Sequence, residues 1–140
     1  MVFRPYVWEY SAEVPLRTAL HNRITAATEV DVFNGDAPEN FPEPYIILGE
    51  STEGQIFTKT NSGSEIVLTV HIYTREDGYD KLDEIKAQVI RAISGPPMPM
   101  STDWSLFFWG VDGSRQYRFN AELAHCVITF RFKMDYVGEL

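Results

Sequence analysis

The chain has 140 residues, with 20 acidic against 12 basic side chains and a formal net charge of -8 at pH 7. Hydrophobic residues make up 44% and charged residues 23%, the balance of a globular protein and not of a disordered tail. Affinity for nucleic acid comes from clustered Lys and Arg that release counterions from phosphates, and no stretch gathers them here, which argues against tight DNA binding.

At this length one domain is expected over residues 1–140, able to bury about 68% of the surface of the unfolded chain. Cys126 is the single cysteine, so no internal disulfide can form. The N-terminus lacks the apolar segment of a signal peptide, which makes the cytosol the expected compartment. No apolar run approaches the roughly 18 residues that a membrane span requires, so no membrane partner is expected.

Residues 1–10, "MVFRPYVWEY", are aromatic and contain Pro5, which favours an extended arm over a helical start. Ser11 and Pro15 suit a helix entry, and Leu16, Ala19, Leu20, Ile24 and Ala27 form the apolar stripe of a first helix. Glu29 to Phe33 reads as a short strand closed by Asn34 and Gly35, and the three prolines of "DAPENFPEP" make the next stretch a loop. Tyr45 to Leu48 is an apolar run that reads as a buried strand ending at Gly49. Gln55 to Thr60, turned back by Asn61 to Ser64, predicts a long, protruding hairpin.

Ile66, Leu68, Val70 and Ile72 alternate with Val67, Thr69, His71 and Tyr73, which predicts a strand with one core face. Asp80 is the expected N-cap of a second helix, with Asp83 and Glu84 in its first turn. Leu82, Ile85, Val89, Ala92 and Ile93 give that helix its stripe, and Gly95, Pro96 and Pro97 stop it. Trp104 to Val111 predicts a strand, Asp112 to Ser114 a turn, and Gln116 to Asn120 a return strand. In the final segment Cys126, Ile128, Phe130, Phe132, Met134 and Tyr136 alternate with a more polar set, which predicts a long strand. The fold class is α+β, a mainly antiparallel sheet with both helices packed on one face and the hairpin projecting from it.

Three groups could carry chemistry. His71 and His125 would approach each other, and the thiol of Cys126, if their strands pair. A zinc site needs three or four ligands, however, and no CxxC or HxxxH spacing supplies them. The plainer reading is a pair of partly buried strand histidines. The acids Glu76, Asp77, Asp80, Asp83 and Glu84 lack the ligand spacing of a calcium loop, and each has a simpler use in the turn or the helix start. Trp104, Phe107, Phe108 and Trp109 crowd one strand. Strict alternation would place Trp104 and Phe108 on one face, Phe107 and Trp109 on the other. With Tyr6 and Trp8 in the arm, that is more apolar surface than one small core hides, which points to a subunit contact. No catalytic, cofactor or metal residue is expected.

The segments "FPEPYIILGE", "LTVHIYTREDGYDKLDEIKAQVIRAI" and "AHCVITFRFKMD", together with "LRTALHNRITA", resemble the tail-completion proteins of long-tailed phages and prophages. These are also called tail terminator or tail-to-head joining proteins. The resemblance implies a virion protein and not an enzyme: a homo-oligomeric ring, usually a hexamer, on the head-proximal end of the tail tube. Its partners would be the tail tube protein and a head completion protein, with DNA only passing through the lumen. An acidic lumen would let DNA slide. Gln55, Phe57, Lys59 and Asn61 of the hairpin, Tyr6 and Trp8 of the arm, and Trp104 and Trp109 are the expected contact residues. Two rivals are a different head–tail connector or tube-like component, and a small metal-dependent enzyme built on His71, His125 and Cys126.

Overall fold

The computed structural model describes residues 11–57 and 62–138. Its elements are α1 (Glu13–Ala27), β1 (Asp31–Asn34), β2 (Tyr45–Phe57), β3 (Ser62–Arg75), α2 (Asp80–Ser94), β4 (Trp104–Arg118) and β5 (Leu123–Tyr136). The strands form one sheet in the order β1-β2-β3-β5-β4. Every neighbouring pair is antiparallel except β1 with β2. The expected α+β class is what the chain adopts.

Period-two alternation decides which face is buried. Ile66, Leu68, Val70 and Ile72 of β3 and Cys126, Ile128, Phe130, Phe132 and Met134 of β5 turn to the same side and are fully buried. Leu16, Leu20 and Ile24 of α1 and Leu82, Ile85, Val89 and Ile93 of α2 close over them in one cluster. Helix α1 packs on α2, β1 and β2, while α2 packs on β3, β4 and β5, so both helices lie on one face as expected. The opposite face, made by residues such as Thr69, His71, Tyr73, Val127 and Thr129, carries no helix among the described residues and is called the open face below.

Four local expectations need correction. Strand β2 does not stop at Gly49. It passes through a register irregularity between Leu48 and Ser51 and stays paired with β3 as far as Phe57↔Ser62, because β3 offers an unbroken partner along its length. The connecting residues 58–61, where any protrusion of the hairpin would lie, fall outside the described residues. The paired part is flanked on the β3 side by β5, which reaches Gly63↔Asp135. Gly63 permits that approach, since a Cβ there would collide with the Met134 carbonyl oxygen.

Similarly, Asp112 to Ser114 is no turn. Strand β4 runs on to Arg118 with an irregularity between Val111 and Gly113, and the Asp112 carboxylate is held there by Arg131 Nη2 at 2.8 Å. A second irregularity, between Leu106 and Phe108, overturns the expected parity. An extra residue in one strand flips every later side chain, so Trp104, opposite Tyr136, and Trp109, opposite Phe132, both face the helices. Trp104 is 5% exposed and lies in the core, and Trp109 packs against it.

The fourth correction concerns the start of α2. Asp80 is already helical and makes no cap; the N-cap position is Tyr79, without a side-chain hydrogen bond. Glu76 does the work from outside the helix: its carboxylate accepts the Lys81 and Leu82 amides at 3.0 Å each and the Thr74 hydroxyl at 2.5 Å. Burial alone would raise this carboxyl, but the Thr74 and backbone donors outweigh it and hold Glu76 below the ordinary glutamate value. Arg118 fastens the same turn through the carbonyls of Glu76 and Gly78. Urea denaturation is therefore expected to show Glu76→Ala costing about 1–2 kcal/mol, while Asp80→Ala stays within about 0.5 kcal/mol. A larger loss for Asp80→Ala than for Glu76→Ala would contradict this assignment.

Candidate functional site

The polar centre of the molecule lies on the open face, where β2, β3 and β5 run side by side. The register sets Tyr73 beside His125 and His71 beside Val127, so the two imidazoles are diagonal neighbours. His71 Nδ1 stands 2.9 Å from His125 Nε2, and His71 Nε2 stands 3.1 Å from Glu50 Oε2. Glu50 reaches His71 from the irregular part of β2. Its neighbour Gly49 leaves the room, because a Cβ there would sit 2.6 Å from His71 Cδ2. His71 and His125 thus meet as the sequence suggests, and Glu50 joins them without any local signal in the sequence.

The rest of the surround is aromatic. Tyr73 stacks on His125 with centroids 4.2 Å apart, Phe119 stacks at 5.4 Å, and Tyr117 meets it edge-on at 4.7 Å. This cover leaves His125 only 3% exposed although it sits on the helix-free face. Burial, then the charges of His71 and Arg115, lower its pKa from 6.5 to about 4, with Glu50 pulling weakly the other way. Glu50 is itself lowered to about 2, first by the Thr69 hydroxyl, then by its own amide and by His71, against the effect of burial.

If His71 is neutral and donates from Nε2 to Glu50, its Nδ1 accepts from His125 Nε2; a protonated His71 reverses that second bond. The remaining His125 Nδ1 has no hydrogen-bond partner among the described residues. A carboxylate–imidazole–imidazole chain of this kind can hold a proton; the Thr69 hydroxyl stands 3.4 Å from His71 Nε2 and donates to the Glu50 carbonyl at 3.1 Å. Cys126 does not join the histidines as expected. Adjacent strand residues point to opposite faces, so it is buried among the helices, where burial lifts its thiol to about 11. No group of three or more His, Cys, Asp or Glu side chains is placed to hold a metal ion among the described residues.

The expected contact residues divide three ways. Tyr6, Trp8, Lys59 and Asn61 lie outside the described residues. Gln55 and Phe57 end β2 beside the turn, Phe57 being 60% exposed. Trp104 fills the core, and Trp109 donates its indole N–H to the Gly95 carbonyl at 3.1 Å. The exposed apolar side chains of β4 are instead Phe107, Phe108 and Val111, at 47%, 44% and 41%. The signal for them was the uncharged run "WSLFFWG"; the irregularity at Leu106 hid which of its rings turn outward.

A buried histidine held neutral has a defined linkage. Between pH about 4 and 6.5 the unfolded chain binds a proton at residue 125 that the folded chain refuses. The contribution is complete above pH 6.5 and is lost as pH falls towards about 4, by up to about 3 kcal/mol. Denaturation across that window should show falling stability in the native chain and a flatter profile in His125→Phe. Equal slopes for the two would contradict the neutral, buried assignment.

Comparison with known proteins completes the picture. A family model described as tail completion protein gp17 matches residues 15–135. No curated protein matches the chain. Among solved structures, a chain from the virion of a native gene transfer agent (GTA) particle superposes with a TM-score of 0.77, covering 90% of this chain and 98% of that one at 18% identity. At that identity the likeness establishes a shared fold. The family match runs from the first turn of α1 to the penultimate residue of β5, and the chain therefore belongs to the tail completion protein gp17 family, structural proteins of the phage tail.

Proposed function

We propose that this chain is a tail terminator: a closed ring of copies, six in number, that sits on the head-proximal end of the tail tube. There it ends tube polymerisation and offers a docking surface to a head completion protein. The carrying observation is the family match across nearly the whole folded chain. A ring ends a polymer by physical means alone. One face repeats the contacts that a tube subunit makes, and the other lacks the surface on which a further tube layer would grow.

Other observations support the reading. On the open face Glu50, His71 and His125 are joined in one chain of contacts inside an aromatic stack, which ties β2, β3 and β5 together. Heterologous contacts between unlike faces generate closed rings when the rotation closes. The net charge of -8 repels DNA of like sign, which suits a passage through which the genome moves without sticking.

The test is morphogenesis with and without the protein. Particles made without a functional copy should show tubes of uncontrolled length and filled heads without tails, and adding the purified protein to tubes should stop their elongation and restore joining. Tails of normal length, joined to heads in its absence, would contradict the proposal.

A further inference from the structure

The ring reading leaves open which surfaces of neighbouring copies meet, and the two margins of the open face offer an answer. A band of rings crosses that face from one margin to the other. Phe41 meets Phe33 at the β1 margin with centroids 4.9 Å apart, Phe33 meets Tyr45 at 6.3 Å, and Tyr45 meets Tyr73 at 5.1 Å. His125 carries the band on to Phe119 and Tyr117 at the β4 margin, where Phe119 is 58% exposed. Aromatic and arginine side chains are enriched where protein surfaces meet.

Charge is unequal at the two ends of the band. At the β4 margin Arg115 is exposed and lies over the Tyr117 ring, its Cζ 5.0 Å from the centroid. It makes no hydrogen bond or ion pair among the described residues. At the β1 margin Asp31, Asp36 and Glu39 are exposed and likewise have no ion-pair partner among the described residues. Asp36 lines a hollow with Ile47, Gly49, Glu50, His71 and Tyr73, and the Glu50 side chain is 72% exposed. Arg17 borders the same hollow, but its guanidinium is taken up by Glu13, Asn34 and the Leu48 and Gly49 carbonyls.

The registers place these features at equal heights. Phe33 lies opposite Ile47, Ile47 opposite His71, His71 opposite Val127, and Val127 opposite Arg115. Two residues along, Asp31, Tyr45, Tyr73, His125 and Tyr117 are in line. Arg115 is therefore level with the hollow on the far margin, and Tyr117 is level with Asp31. About a ring axis parallel to the strands every copy keeps its height, so the β4 margin of one copy meets the β1 margin of the next in that order.

We propose that neighbouring copies in the ring join these unlike margins, with Arg115 of one copy set against Asp36 and Phe33 of the next, and Tyr117 against Asp31. The contact is made by side chains and not by a continued sheet. Strand β1 has only four residues, and its Val32 carbonyl already meets His21 Nε2 at 3.1 Å. Opposite charges on unlike margins fix the register and direction of the contact, and they disfavour the meeting of like margins. Such a contact runs head to tail until the rotation closes. This assignment rests on the ring reading but fails separately from it.

Charge reversal tests it on the full-length chain. Arg115→Glu alone and Asp36→Lys alone should each abolish the oligomer in native mass measurement, with thermal unfolding within a few degrees of the parent. An equimolar mixture of the two should restore it, because in alternating copies every junction again joins opposite charges. Should either variant unfold, the chain carrying Arg115→Cys and Asp36→Cys decides: mild oxidation should give a ladder of covalent multiples on a denaturing gel, and neither single variant should give one. The native Cys126 is buried and stays out of that reaction. A ring that survives either reversal, a mixture that stays monomeric, or a native-mass ring without a ladder overturns the margin assignment and leaves the ring standing. Covalent dimers from Arg115→Cys alone, a twofold contact of β4 margins, overturn it as well. No oligomer of the parent chain, in solution or on tube ends, overturns both readings.

Discussion

The pairing of β3 with β5 is the constraint on which the rest of the molecule depends. It runs without a break from Gly63↔Asp135 to Arg75↔Leu123, and that continuity keeps side-chain parity constant through the centre of the sheet. Because the parity never slips, Ile66, Leu68, Val70 and Ile72 join Cys126, Ile128, Phe130, Phe132 and Met134 on one face. The two helices need that unbroken apolar floor. On the other face the same registration brings His71 and His125 within a hydrogen bond. A single-residue slip would exchange the faces, burying His71, Arg131 and Lys133 under the helices.

Irregularity is confined to the flanking strands, and there it serves the periphery. The break between Leu48 and Ser51 is where Glu50 turns onto His71 and where Arg17 covers the exposed carbonyls of β2. The break between Leu106 and Phe108 sends Trp109 inward to the helix side and leaves two phenylalanine rings exposed. The break at Asp112 lets β4 continue past a sequence that favours turning. A regular centre with irregular edges keeps the core unique.

The same division explains what could be read from the sequence. Strands β3 and β5 and helix α2 were legible, since each writes its period without interruption. Strand β4 was half legible: its apolar content was plain, but parity beyond Leu106 depends on an extra residue that only the partner strand reveals. The separation of Cys126 from His125 was within reach, because adjacent strand residues face opposite ways. Glu50 was not, since its link to His71 spans 21 positions and rests on a local backbone irregularity. Asp80 looked like the helix cap because it stands at the first periodic position; Glu76, four residues earlier, reaches the free amides by crossing the turn.

Membership of the tail completion family gives the chain a structural task, and the physical features fit a protein whose output is shape. Its polar cluster ties three strands of the sheet together, and exposed phenylalanine rings stand on β2 and β4. The most direct measurement is a cryo-EM reconstruction of the head-proximal tail end at a resolution that separates strands. The account predicts a closed ring of copies of this chain seated on the last layer of the tube, on its head side. A head-proximal end without a ring of this chain, or one in which the chain repeats along the tube, would contradict it.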